Sequence, residues 1–309
     1  FIVQGGATIK VNTNEFNNNY TVQPSTIATS SIVEYAASSG TQTISSPGAG
    51  GGSIFTKDYG ILKISGGGVK ELAANATVTA SATGTALIVE GGTLDLKTFT
   101  LNRSAAIPLI GGTLQVADGA TLKVGGTNSM PTGYATVDLK PNSTVEYYGT
   151  AQTVANHTYG HLILSTSSTK TMPTSAFTVA GNLTSQGTVS FTAGAGITVN
   201  GDVTIGTSTT FGGGSFSHTV GGNWTVNGTF TPGTSTVTFT GANKTISGTA
   251  TSPQFNNLTI DGSISTGISF AVNGNLTVNS GKTFTATAGT VTMAGANKSI
   301  TNSGTATFW

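Results

Sequence analysis

The chain reads Gly-Asn-Leu-Thr at 181–184, Gly-Asp-Val-Thr at 201–204 and Gly-Asn-Trp-Thr at 222–225, a recurrence at spacings of 20 and 21 residues. The pattern returns at 274–277, and Gly-Gly-Thr-Leu occurs twice in the first half, again 20 residues apart. Self-similarity at a fixed spacing of this size indicates a solenoid, because one coil alone cannot bury its apolar face. The sequence therefore predicts stacked coils of about 20 residues each.

Each predicted coil carries short stretches in which apolar and polar residues alternate, as in Leu94-Asp95-Leu96 and Leu258-Thr259-Ile260. A period of two is typical of strands, and Gly and Asn between the stretches supply residues that tolerate positive φ at corners. Asn-Gly pairs such as Asn200-Gly201 also suit antiparallel hairpins. The 20-residue recurrence favours parallel stacking, so the predicted fold is all-β, a right-handed parallel β-helix.

A longer motif is superimposed on the coils. Val-Glu-Tyr at 33–35 and 145–147 and Val-Thr-Phe at 237–239 are each followed by an aromatic residue and a Leu-rich strand. The fourth copy begins Val-Thr-Met at 291–293 and stops at Phe308-Trp309. Because open coil edges normally need covering, we expect an assembly interface at the two ends of the chain. Its predicted residues are Phe1, Ile2, Val3, Ile9, Val11, Ile300, Thr307, Phe308 and Trp309.

Composition narrows the function. The 309 residues include 44 Gly, are 36% hydrophobic and only 7% charged, and carry a net charge of +1. This balance is typical of an ordered β protein, and it predicts neither a nucleic-acid partner nor an anionic membrane surface. No apolar stretch approaches 18 residues, so no membrane span is expected. Cys is absent, which excludes disulfides and thiolate metal sites. The start at Phe1 without Met or a signal peptide suggests a processed or partial chain.

Charge and loop signals suggest three regions. Residues 1–29 are predicted as an N-terminal strand and polar loop, a candidate inter-subunit segment, and 30–172 as a more charged solenoid with loop insertions. Residues 173–309 are predicted as a Thr/Gly/Asn-rich solenoid with an open C-terminal end. Departures from the coil pattern mark the predicted loops at 12–29, 48–53 and 125–133. Only five charged residues follow position 172: Asp202, Lys244, Asp261, Lys282 and Lys298.

Candidate catalytic and metal-binding residues are sparse. Parallel β-helices can host polysaccharide lyases and hydrolases, which need clustered carboxylates, and Glu34, Glu71 and Glu90 are candidates for stacking one coil apart. The chain has no Asp-Asp or Asp-x-Asp pair, so these acids are interpreted as surface charge and the protein as a non-enzyme. His157 and His161 are four apart, a zinc spacing on a helix but not around a strand. No cofactor or metal is predicted.

Asn, Thr and aromatic residues carry further expectations. Asn-x-Thr/Ser sequons are interpreted as turn Asn residues in a ladder between coils rather than as glycosylation sites. Thr-x-Thr strings at 236–240 and 283–287 resemble ice-binding faces, although Thr is also a common outward strand residue. One recurring aromatic slot is expected to stack in the core: Tyr59, Tyr159, Phe255 and Phe308. The sequons include Asn182, Asn223, Asn243, Asn257, Asn275 and Asn297.

One phrase of the sequence carries a family resemblance. It runs through Ser-Thr-Val-Glu-Tyr at 143–147, Ala-Gln-Thr-Val at 151–154, Tyr-Gly-His-Leu at 159–162, Thr-Lys-Thr-Met-Pro at 169–173 and Val-Ala-Gly-Asn-Leu-Thr at 179–184. The phrase resembles the bacterial β-strand-repeat surface proteins, which are secreted, adhesin- or autotransporter-like β-solenoids. The resemblance implies a parallel β-helix, secretion and a role at the cell surface or in the extracellular matrix. It implies no catalytic residues.

The functional prediction is an extracellular structural subunit that stacks head to tail into a filament or surface fibre, with itself as partner. The alternative is the stalk or a fragment of a bacterial surface adhesin, whose loops would contact a glycan or cell surface. Two further alternatives are an ice-binding β-solenoid and a polysaccharide-active β-helix enzyme.

Overall fold

The predicted all-β solenoid is confirmed by a computed structural model, which describes residues 2–14, 26–44, 58–80, 83–103, 110–251 and 253–308. These residues contain strands and turns but no helix, and the strands pair in parallel. There are about 13 turns, with coils of about 21 residues. Leu183 pairs with Val203 and Val203 with Trp224, so the recurrence of the sequence is the register of the sheet.

The chain divides into two compact units, Phe1–Gly149 and Thr150–Trp309. In the first unit, a six-stranded sheet, a ladder of five strands and a three-stranded sheet form the three sides of the coil. The strands are β1 (Ile2–Val3), β2 (Thr8–Val11), β3 (Thr26–Ile27), β4 (Ile32–Tyr35), β5 (Thr41–Ile44), β6 (Asp58–Tyr59), β7 (Ile61–Ile64), β8 (Val69–Leu72), β9 (Ala76–Val78), β10 (Thr85–Val89), β11 (Thr93–Asp95), β12 (Leu101–Arg103), β13 (Thr113–Val116), β14 (Thr121–Val124), β15 (Thr136–Leu139) and β16 (Thr144–Tyr147).

The second unit also has a three-sided coil. One side is a ladder of eight strands from β17 to β38, the next comprises a four-stranded and a three-stranded sheet, and the last is a seven-stranded sheet. The strands are β17 (His161–Leu164), β18 (Ser167–Thr171), β19 (Phe177–Val179), β20 (Leu183–Ser185), β21 (Thr188–Thr192), β22 (Ile197–Val199), β23 (Val203–Ile205), β24 (Thr210–Gly212), β25 (Ser217–Val220), β26 (Trp224–Val226), β27 (Thr229–Thr231), β28 (Thr236–Phe239), β29 (Lys244–Ser247), β30 (Gln254–Phe255), β31 (Asn257–Ile260), β32 (Ser263–Thr266), β33 (Phe270–Val272), β34 (Leu276–Val278), β35 (Thr283–Ala286), β36 (Val291–Met293), β37 (Ile300–Asn302) and β38 (Thr305–Thr307).

Alternation places one residue of each pair in the core, and aromatic side chains stack there from coil to coil. Phe191, Phe211 and Phe230 are register partners on β21, β24 and β27. The first two rings stack at 4.6 Å between centroids. Trp224 is 1% exposed and lies 5.0 Å from the ring of Phe230. Stacked rings remove large apolar areas from water, so this column stabilises the second unit.

The recurring aromatic slot is buried in three of its four copies. Tyr59, Tyr159 and Phe255 are at most 1% exposed, as predicted. Phe308 is 47% exposed, so the prediction that it lies in the core is wrong. Its ring contacts Phe284, which is fully buried, on one side only. The difference arises because Phe308 belongs to the last described coil, where no further coil lies over it.

The predicted loops fall differently with respect to the described residues. Residues 48–53 and 15–25 lie outside them, while Thr26–Ile27 form β3 and pair with β1. Residues 125–133 form no strand, as expected of a loop. This loop is nevertheless packed, because Met130 is buried and Arg103 donates a backbone hydrogen bond to the Thr132 carbonyl. The division predicted at residue 172 stays a prediction.

Candidate functional site: the uncovered last coil

The last coil of the second unit exposes side chains that earlier coils bury. Strands β36, β37 and β38 each form the end of a sheet. Ile300 on β37 pairs with Leu276 on β34, yet Ile300 is 48% exposed and Leu276 is fully buried. These positions have the same inward orientation, so the difference reflects only the absence of a covering coil. The last coil therefore presents the cross-section of the core to solvent.

A shallow cavity of about 230 Å³ lies on this surface, which we call the open face. Ile300 and Phe308 form two of its walls, and the whole lining is uncharged. The remaining lining residues are Ala286, Gly289, Thr290 and Val291. Next to it, the unpaired outer edges of three strands offer backbone donors and acceptors. Apolar contact beside free strand edges is the arrangement that an added strand or coil completes.

Exposed large apolar side chains are few in the part of the chain that the structure describes. There are four: Ile2 at 64%, Ile110 at 64%, Ile300 at 48% and Phe308 at 47%. Three of them belong to the predicted assembly interface. Scattered surface apolar residues need no explanation, but a set restricted to the ends marks those ends as contact surfaces.

The N-terminal side differs from the open face. Strand β2 ends the six-stranded sheet and β1 ends a two-stranded sheet, so both have an unpaired edge. Val3, Ile9 and Val11 are buried, and only Ile2 projects into solvent. The predicted interface thus combines backbone edges whose side chains lie in the core with an exposed Ile2. Thr307 is half-buried at the far end, whereas Phe1 and Trp309 lie outside the described residues.

The candidate carboxylates are neutralised by lysines of neighbouring coils. The Glu34 carboxylate lies 3.7 Å from Lys10 and 3.9 Å from Lys63, and it accepts a 2.6 Å hydrogen bond from the Ser65 hydroxyl. Lys63 also lies 2.8 Å from Glu90, and hydrogen bonding to that carboxylate raises the pKa of Lys63. Glu71 is 3.5 Å from Lys97. The stacked charges form ion pairs along the outer faces of the first unit, where alternating signs are mutually stabilising.

The histidines make local contacts. The Nδ1 atom of His161 accepts a hydrogen bond from the Asn182 backbone, and His157 lies edge-on to Tyr159. His218 was expected to be isolated, but it lies in the core, 3% exposed. The Nδ1 atom of His218 accepts from Ile197 N–H and its Nε2 lies 2.8 Å from the Gly213 carbonyl, while burial lowers its pKa. Within the described ranges, no three His, Asp or Glu side chains are grouped so that they could hold a metal.

Turn asparagines and one aspartate link successive coils of the second unit. The Asn182 side chain accepts from the backbone of Asp202, Asp202 accepts from Asn223, and Asn223 accepts from Thr245. A second run joins Asn257, Asn275 and Ser299. The predicted Asn ladder is therefore present, and it explains the sequons at these positions by side-chain to backbone hydrogen bonds.

Threonines form an outward column on the seven-stranded sheet of the second unit. The Thr-x-Thr strings showed no strict register in the sequence, but the middle residue of every strand in this sheet is a threonine. The register pairs Thr178, Thr198, Thr219, Thr238, Thr259, Thr277 and Thr301 in turn. Parallel pairing spaces these hydroxyls about 4.8 Å apart. The column is uncharged and regular.

Two buried lysines were missed by sequence reasoning. Lys70 is fully buried and Lys170 is 1% exposed. The signal was present, because counting the coil length from Leu94 places Lys70 opposite it on the inward side. Charged side chains are so rarely buried that composition gave no reason to look for them in the core.

Comparison of the chain with known protein families, curated proteins and solved structures gives no match. Among the residues of the model that are described, no helix could cross a membrane. The β-solenoid of repeated coils is consistent with a β-strand-repeat protein.

Proposed function

We propose that the protein is an extracellular structural subunit whose coils continue from one copy to the next, head to tail, in a filament or surface fibre. The observation that carries the proposal is the concentration of exposed apolar side chains at the ends: Ile300 and Phe308 on the open face and Ile2 on the opposite side. The open face would bind the first coil of a second copy through new parallel strand pairs. Secretion is part of the proposal and rests on the resemblance to bacterial surface proteins.

Strand direction supports a head-to-tail arrangement. Because the strands of a coil run parallel to those of the next, a coil added to β36, β37 and β38 must keep the same direction. The first strands of a second copy meet this condition only when its N-terminal side faces the open face. Such a contact joins two different surfaces, so it does not close and generates a filament. With a net charge of +1, electrostatic repulsion between copies is weak.

Sedimentation velocity over a concentration series, combined with negative-stain electron microscopy, tests the assembly. The wild-type protein is expected to form filaments with one solenoid width, and Ile300→Lys and Phe308→Asp are expected to remain monomeric, because each buries a charge in the new contact. Ile110→Lys is the matched control, since Ile110 is equally apolar and exposed but distant from the open face in sequence and strand order. Its filaments should be unchanged.

Two results would overturn the proposal. One is a wild-type protein that stays monomeric at every concentration, which would favour the stalk of a surface adhesin. The other is equal loss of assembly in the Ile110→Lys control, which would indicate nonspecific apolar aggregation rather than coil stacking.

The threonine column favours a second candidate function, binding to an ice surface. A rigid sheet with hydroxyls at one fixed spacing can match a crystalline lattice of water, whereas a flexible or charged surface cannot. Thermal hysteresis and recrystallisation inhibition test this with Thr219→Lys and Thr259→Lys on the column. Thr204→Lys on the eight-strand ladder is the control. No activity in the wild type, or equal loss in the control, would exclude the column as an ice-binding face.

A further inference from the structure

Lys170 occupies an aromatic position of the core. On β18 it is the register partner of Phe191, which in turn stacks on Phe211. The side chain is 1% exposed, and burial lowers the pKa of its amine to about 8. A protonated amine is costly to keep among phenyl rings, and a desolvated lysine is a stronger nucleophile than one in water.

Gln152 lies directly opposite Lys170 in the preceding coil. The side chain of Gln152 is fully buried, and its Oε1 atom accepts a 3.0 Å hydrogen bond from Lys170 Nζ. Two backbone hydrogen bonds of 2.9 Å fix the pair, from Thr171 N–H to the Gln152 carbonyl and from Val154 N–H to the Thr171 carbonyl. The amine and the carboxamide are thus held in contact by rigid strands, the condition under which an intramolecular reaction gains a large effective concentration.

The first unit contains a related pair with a different geometry. Gln42 and Lys70 are also register partners and fully buried. The Gln42 amide nitrogen donates to the carbonyls of Val11 and Thr13, and its oxygen accepts from the Ala37 backbone. Lys70 Nζ donates to the Ala37 and Gly68 carbonyls. The same residue types therefore recur in both units, but only in the second do amine and carboxamide bond to each other.

We propose that Lys170 and Gln152 form an intramolecular amide bond in the folded protein. The neutral Nζ atom attacks Cδ of Gln152, so an Nζ–Cδ bond forms and the Cδ–Nε2 bond breaks. One proton moves from Nζ to Nε2, and ammonia leaves. No oxidant, metal or other reactant is needed. The product replaces a buried charge with a neutral amide and links two coils covalently, closing a loop between residues 152 and 170.

Mass spectrometry tests the bond on the full-length protein, held folded at about pH 8.5, where much of the amine is neutral. We expect the intact mass to fall by about 17 Da, one ammonia, and only once per chain. Trypsin should fail to cleave after Lys170, and tandem spectra should show its peptide joined to the one that contains Gln152. Lys170→Arg and Gln152→Ala should keep the full mass, whereas Lys70→Arg should still lose ammonia.

An unmodified mass in the wild-type protein after prolonged incubation would overturn the proposal without reference to any variant. So would a loss of ammonia that persists in Lys170→Arg, because Asn-Gly sequences such as Asn200-Gly201 can lose ammonia by cyclisation. Circular dichroism of each variant shows whether it is folded. The decisive measurement on the unchanged chain does not depend on that outcome.

Discussion

Truncating Phe211 is the most direct way to test whether the aromatic column stabilises the second unit. The ring is 2% exposed and lies between Phe191 and Phe230, with centroid distances of 4.6 and 5.2 Å. It also lies 6.2 Å from Trp224 and 5.9 Å from the His218 ring. The substitution Phe211→Ala therefore removes contacts with three aromatic side chains and with a buried imidazole at once.

The expected loss can be worked out from this environment. A Phe→Ala change in a packed core costs about 3–5 kcal/mol, through lost burial and the cavity left behind. Each well-placed aromatic pair adds about 0.5–1.5 kcal/mol. Because the strands of adjacent coils are fixed by parallel pairing, the cavity cannot collapse easily. We therefore expect the upper part of the range, about 4–5 kcal/mol.

Urea unfolding followed by the fluorescence of Trp224 measures this loss, in a background where Trp309 is replaced by Phe. Coils interact only with their neighbours, so the reporter should be placed near the substitution. Phe211→Leu is the control and should cost about 1–2 kcal/mol, because most of the volume remains. A loss below about 2 kcal/mol for Phe211→Ala would show that the column is not tightly packed.

Three further measurements probe turns, the ladder and acidity. Gly248→Ala should cost about 2 kcal/mol or more in urea unfolding, because φ is 135° and a Cβ would press on the Val226 carbonyl. Gly281→Ala, at φ 71° in open space, should cost less. Asn223→Ala should cost about 1 kcal/mol and leave the fold intact by circular dichroism. His218 has a lowered pKa when folded, so its neutral form adds stability above about pH 6.5 that is lost as the pH falls; His218→Leu should flatten this acid-side dependence, and an unchanged profile would contradict it.

Much of the fold could be predicted because the coil length is written directly in the sequence. The spacing between Leu183, Val203 and Trp224 is the distance between hydrogen-bonded partners in the sheet. Alternation then assigns each side chain to the core or to the surface. The exposed ends could be anticipated in part, since Ile2, Ile300 and Phe308 were all in the predicted interface.

The remaining features depend on which strands share a side of the coil. The Thr-x-Thr strings at 236–240 and 283–287 belong to different sides, so their spacing says nothing about the column through Thr238. The burial of Val11 beside an unpaired backbone edge was also hidden, because a strand can end a sheet and still point its side chains inward. Lys170 required the register itself, since only its pairing with Phe191 shows that it faces the core.

The ladder through Asn182, Asp202 and Asn223 has a direction. In each bond, the side-chain acceptor precedes in sequence the backbone donor that it binds. A coil that is already formed therefore presents an acceptor to the coil that is synthesised, or delivered across a membrane, immediately after it. Each turn acts as a template for the next, so the second unit is suited to fold vectorially from its N-terminal side while the rest of the chain is still emerging.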